Sequence, residues 1–310
     1  MSYFVSAPQR NRNDRGRKLR ADSARGLQVP DTGVDVGVSG RPLPILSAHY
    51  SIPGMVTVEQ VSFDGMQVPV EVYAGPERPL LFLPGFGVHP LNYRAGVERL
   101  ARHFTVFMPD LSFRTHAELP LHVARYLAFV ELLSEQYAPE APRTGHSFGG
   151  LLALLGPRQA VALAPMIPIE AGWPTKIGRA ILLQLREYVG LDGHRGVRWA
   201  FHIFGEYVRT AVIRPHCLFP SVSELLGEIR EEFIPTAPHS TLVLARHDRL
   251  YLQSEYEAYL CLSDASRIET RYVSPGHDWP VTHPELVERE VLEALGVERR
   301  ADSARTEIPA

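Results

Sequence analysis

Between residues 56 and 297, short apolar runs alternate with stretches of helical spacing. The valine-rich segments "VTVEQVSF" (56–63) and "QVPVEVYA" (67–74) read as strands, joined by the turn residues Asp64 and Gly65. "PLLFLPG" (79–85) is a brief apolar run closed by Pro-Gly, the mark of a buried strand. "TVFMPDL" (105–111), a short piece at 142–146, "RQAVALAP" (158–165), "STLVLARHD" (240–248) and "IETRYVS" (268–274) continue the series. Helical spacing occupies 92–102, 117–137, 148–156, 254–263 and 284–295. In 117–137 the apolar positions are Leu121, Ala124, Leu127, Ala128, Val130 and Leu132. Such alternation predicts the α/β class: a mostly parallel central sheet with helices on both faces. Ligands of such sheets bind at the carboxyl ends of the strands.

One segment interrupts the alternation. Residues 166–238 hold helical patterns and no convincing strand. Ile181, Leu182, Leu185, Tyr188 and Val189 recur at helical spacing, as do Val197, Ala200, Phe201, Phe204 and Val208. The stretch is far longer than an ordinary connection, so it is expected to be a helical cap or lid inserted into a core formed by 51–165 and 239–297. Its aromatic residues have two readings: most are expected to pack the insertion against the core, and a minority to line an apolar pocket above Ser147. Residues 1–50 and 298–310 lack periodicity and are expected to be disordered tails. The string "RADSAR" stands in both, at 20–25 and 300–305. One reading places the true start of translation near Met55.

Composition narrows the function classes. The 310 residues carry a net charge of -3, which gives no footprint for nucleic acid. Nothing approaches the roughly 18 apolar residues of a membrane span. Two cysteines, Cys217 and Cys261, are too few for a disulfide framework or a thiolate metal site. The first twenty residues have no apolar signal core, so a cytoplasmic protein is expected. No phosphate-cradling glycine pattern follows a strand, and the histidines lack paired metal-ligand spacing. Neither cofactor nor metal is expected, and the anticipated partner is a small molecule. Oligomeric state is not legible here.

Candidate chemistry centres on "GHSFGG" (145–150). Gly145 and Gly149 flank Ser147 two positions away on each side, as suits a strand turning sharply into a helix with its hydroxyl exposed. A serine hydroxyl needs a base within hydrogen-bonding reach and an acid to orient that base. Asp248 closes "TLVLARHD", and His277 lies in "SPGHDWP", directly after the strand 268–274. All three candidates fall at or just beyond strand ends, in the chain order Ser, Asp, His. Glu170, beyond the strand 158–165, is the alternative acid. His146 and His247 neighbour these positions but are expected to point away from them. Asp278 and His283 are poorly placed for catalysis.

On these residues the chain resembles the α/β-hydrolases that carry a helical cap, over roughly 56–297. The resemblance implies that Ser147 is the nucleophile, His277 the general base and then acid, and Asp248 the orienting carboxylate. "LPGFG" (83–87) matches the family's oxyanion loop, with Pro84 where a histidine is usual. Phe86 and Phe148 are thereby implied as the backbone N–H donors of an oxyanion hole. The implied activity is hydrolysis of a carboxylic ester or thioester through an acyl-serine intermediate. Carbon–carbon bond hydrolysis, acyl transfer and a non-catalytic ligand-binding role stay open.

Overall fold

The computed structural model describes residues 56–112, 123–167, 237–248, 250–262 and 267–298. Apart from a few marginal residues, the expected tails and the expected cap at 166–238 lie outside these, as do Met55, Glu170 and both copies of "RADSAR". Eight strands form one sheet: β1 (Val56–Phe63), β2 (Met66–Tyr73), β3 (Pro79–Leu83), β4 (Thr105–Pro109), β5 (Arg143–His146), β6 (Ala160–Leu163), β7 (Ser240–Ala245) and β8 (Ile268–Val273). Their spatial order is β1-β2-β4-β3-β5-β6-β7-β8. β2 pairs antiparallel with both its neighbours and every other pairing is parallel, as the α/β pattern requires. The β1–β2 hairpin turns at Asp64 and Gly65, whose φ values of 51° and 79° match the two-residue turn favoured by strand twist.

Six helices belong to the described residues: α1 (Arg94–Leu100), α2 (Val123–Tyr137), α3 (Phe148–Leu154), α4 (Gln253–Leu262), α5 (Trp279–Thr282) and α6 (Pro284–Ala294). A short 3₁₀ turn, Pro90–Asn92, delays α1 beyond its expected start. The four-residue α5 is a feature that hydrophobic spacing did not predict. The central strands β3 and β7 are buried on both sides, so alternate residues feed two cores. Leu81, Leu83, Leu242 and Leu244 join the core covered by α2 and α3, with Phe129, Val130, Leu133 and Leu151. Leu80, Phe82, Val243 and Ala245 join the other, with Val97, Leu100, Trp279, Val287 and Val291.

β5 is polar yet wholly buried at the centre of the sheet. Buried polar groups are tolerated when hydrogen-bonded, and here both terminal nitrogens of Arg143 and the Thr144 hydroxyl have partners. Arg143 Nε alone of this strand's side-chain polar atoms has none among the described residues. Arg143 donates to both Glu131 carboxylate oxygens at 2.8 Å and to Ser134 Oγ at 2.9 Å. Thr144 donates to the Val161 carbonyl at 2.9 Å. The sheet's connectivity reverses around β3 and β5: the chain passes from β3 to β4 on one side, then returns to build outward from β5 on the other. The carboxyl ends of β3 and β5 flank this switch point, the favoured binding crevice of such sheets.

Candidate active site

Ser147 stands between β5 and α3 with φ 52° and ψ -115°, a conformation that a non-glycine residue rarely adopts. Surrounding hydrogen bonds hold it there. Its N–H donates to the Leu163 carbonyl at 3.0 Å, and its carbonyl accepts from Met166 at 2.8 Å and Leu151 at 3.0 Å. The turn closes tightly because Gly145 and Gly149 have no side chains. A Cβ on Gly145 would meet the Gly149 carbonyl carbon at 2.4 Å, and one on Gly149 would meet the Leu83 carbonyl oxygen at 2.1 Å.

His277 follows β8 and presents its imidazole to the serine. Its Nε2 lies 3.1 Å from Ser147 Oγ, and its Nδ1 lies 2.8 Å from Asp248 Oδ2. A carboxylate only accepts, so Nδ1 carries the proton and Nε2 accepts from the serine hydroxyl. Asp248 sits three residues beyond the end of β7, just past the strand that its apolar run suggested. A turn brings it back: its Oδ1 accepts N–H bonds from Leu250 at 2.8 Å and Tyr251 at 2.9 Å. The Tyr256 hydroxyl donates to the Pro165 carbonyl at 2.9 Å and lies 3.4 Å from Asp248 Oδ2. Burial and then the Asp248 charge push the Tyr251 and Tyr256 hydroxyls well above their ordinary pKa, so both remain protonated.

The loop after β3 and the start of α3 meet beside the serine, where the Phe86 and Phe148 rings pack edge-on with centroids 5.5 Å apart. Phe148 is the first residue of α3, so its N–H has no carbonyl to bond within the helix. His247 is exposed in the turn before Asp248, and His283 caps α6 beside Thr282.

His146 corrects the expectation that it points away. Its ring lies 5.2 Å from that of His277, with Nε2 3.1 Å from the His277 carbonyl oxygen and Nδ1 2.7 Å from the Tyr93 hydroxyl. No spacing signal links Tyr93 to position 146, because the contact spans 53 residues. Complete burial, reinforced by the neighbouring His277, pushes the His146 pKa down to about 4, against a weaker opposing pull from Asp278. Between that value and the ordinary 6.5 the unfolded chain binds a proton that the folded chain does not. The stability contributed by neutral His146 is therefore complete above pH 6.5 and is lost as the pH falls towards 4. The difference corresponds to about 3 kcal/mol. Urea unfolding across this range should show His146→Gln losing less stability than the wild type; parallel pH profiles would contradict this account.

Among the described residues, His146, His277 and Asp278 place potential donor atoms within 4.8 Å of one another, as metal ligands do. Each ring nitrogen of both histidines already has a partner inside the protein, so the imidazole lone pairs are committed.

The sequence model described as "Alpha/beta hydrolase family" matches residues 80–290. Among curated proteins none matches significantly. Solved structures share the fold at low identity. A carboxylesterase from Bacillus subtilis is 18% identical, with a TM-score of 0.57 over 78% of this chain and 92% of its own. A thioesterase domain from a curacin biosynthetic pathway is 15% identical, with a TM-score of 0.56 over 77% of this chain and 100% of its own. An N-formylmaleamic acid deformylase from Pseudomonas putida S16 is 18% identical, with a TM-score of 0.53 over 76% of this chain and 99% of its own.

Proposed function

The chain belongs to the alpha/beta hydrolase family, and on that premise we propose that it hydrolyses a carboxylic ester or thioester of a small, mainly apolar substrate through an acyl-serine intermediate. One observation carries this reading: Asp248, His277 and Ser147 stand in an unbroken hydrogen-bonded line of 2.8 and 3.1 Å. As Ser147 Oγ bonds to the substrate carbonyl carbon, its proton passes to His277 Nε2. Asp248 holds the proton of Nδ1 and stabilises the imidazolium that forms. The Phe86 and Phe148 amides take the role of donors to the oxyanion, where a single donor is typically worth about 3 kcal/mol of barrier. Collapse of the tetrahedral species expels an alcohol or thiol, which takes the proton from Nε2. Water, deprotonated by the same nitrogen, then releases the acid and restores the serine.

Ester and thioester cleavage agrees with the carboxylesterase and thioesterase among the solved structures of this fold. We assign substrate selection to residues 166–238, whose apolar and aromatic content favours an apolar acyl or alcohol group over a sugar. The test is a p-nitrophenyl ester series of graded acyl length together with a fluorophosphonate probe. The wild type should turn over short esters and be labelled at Ser147, while Ser147→Ala should do neither. Equal turnover by both, or folded wild type that takes no label, would overturn the reading.

A further inference from the structure

Two buried residues outside the Asp248–His277–Ser147 line join the loop after β3 to the loop that carries His277. Tyr93 and His146 are each only 1% exposed. The Gly85 N–H donates to the Tyr93 hydroxyl oxygen at 2.9 Å. That oxygen lies 2.7 Å from His146 Nδ1, and His146 Nε2 lies 3.1 Å from the His277 carbonyl oxygen.

The proton positions follow from what each group can do. A carbonyl oxygen only accepts, so His146 Nε2 must carry a proton. In the neutral ring Nδ1 is then an acceptor, and the Tyr93 hydroxyl donates to it. The Tyr93 oxygen keeps a lone pair for the Gly85 N–H. Every bond thus points the same way, from Gly85 through Tyr93 and His146 to the backbone of His277. The opposite tautomer would set a bare Nε2 lone pair against a carbonyl oxygen. Burial keeps the ring neutral, consistent with this single direction.

We propose that Tyr93 and His146 are positioning residues, which set the loop bearing Phe86 and the loop bearing His277 in fixed register through the end of β5, the strand that leads into Ser147. The assignment rests on the acyl-serine reading of the site. Gly85 immediately precedes Phe86, so the chain ends one peptide from the implied oxyanion donor. At its other end it grips the main chain of the base, while Asp248 grips that residue's ring. His277 is therefore held from two directions. Misplacement of reacting groups by about 1 Å can lower a rate on the order of 100-fold, so a modest loosening of either loop should be visible in turnover.

The test uses Tyr93→Phe, which removes one oxygen and keeps the ring, in full-length protein labelled with ¹⁵N-histidine. In the wild type, long-range proton–nitrogen spectra at neutral pH should show His146 as the Nε2–H tautomer with a non-protonated Nδ1. In Tyr93→Phe the His277 ring resonances should move. The kcat for p-nitrophenyl acetate, per serine titrated with fluorophosphonate, should fall about tenfold or more while KM changes little. A His146 Nδ1–H tautomer would overturn the proposal. A variant with a lowered melting temperature but wild-type kcat per titrated serine and unmoved His277 resonances would also overturn it, leaving Tyr93 a structural residue only. Should the wild type neither label nor turn over esters, the hydrolase reading fails separately. The tautomer and the His277 resonances then decide whether the chain exists and reaches His277.

Discussion

Asp248→Asn is expected to lower kcat for ester hydrolysis by about 10⁴-fold while leaving the protein folded. The reason lies in how the carboxylate is held. Oδ1 accepts two backbone N–H bonds, from Leu250 and Tyr251, and Oδ2 faces His277 Nδ1. An asparagine has one oxygen and one amide nitrogen, and the two N–H donors claim the oxygen. Its NH₂ group must then face Nδ1, which has to accept. The imidazole proton moves to Nε2, where it confronts Ser147 Oγ, and the nitrogen that should take the serine proton is already occupied. The buried amide and its bonds to Leu250 and Tyr251 survive, so the thermal transition should move little. Steady-state kinetics on a p-nitrophenyl ester, paired with a melting curve, checks both halves. A loss below about tenfold would return Glu170 to consideration as the orienting acid, with Glu170→Gln as the deciding variant.

What the sequence made legible was local. β1 coincides with its valine-rich run, the turn at Asp64 and Gly65 carries the predicted residue types, and Ser147 stands on the sharp bend that its flanking glycines suggest. Each of these signals comes from neighbours within a few residues, through alternation or left-handed backbone. Polar pairings across the sheet leave no such trace. β5 reads as a weak strand by apolar content, yet Arg143 finds Glu131 on α2 and Thr144 finds the Val161 carbonyl on β6. His146 looked peripheral for the same reason, because Tyr93 and the His277 carbonyl approach it from distant parts of the chain. Asp248 lies just past β7, as its place at the end of an apolar run suggested, with Oδ2 2.8 Å from His277 Nδ1. A turn held by the Leu250 and Tyr251 amides aims its carboxylate.

Gly149→Ala should damage stability and activity together. Position 149 lies in the first turn of α3, which packs directly onto the end of β3. An added methyl would come within 2.1 Å of the Leu83 carbonyl oxygen and 2.5 Å of that of Pro84. Both obstacles are backbone, so no side-chain rotation relieves them. Ordinary contact begins near 3.4 Å, and the helix or the loop must therefore move by more than an ångström. Such overpacking typically costs about 1–3 kcal/mol, and rigid backbone on both sides puts this site at the upper end. The same displacement separates α3, which begins at Phe148, from the loop bearing Phe86, and turnover should fall on the order of 100-fold. Gly96→Ala is the internal control. The three atoms nearest its added methyl would be Val287 side-chain atoms at 3.5–3.6 Å, in a helix where alanine is favoured over glycine by about 1 kcal/mol. Urea unfolding should therefore rank Gly96→Ala at or above the wild type and Gly149→Ala well below it. Equal stabilities for the two variants would show that the tight seat of α3 on β3 relaxes more readily than its backbone contacts imply.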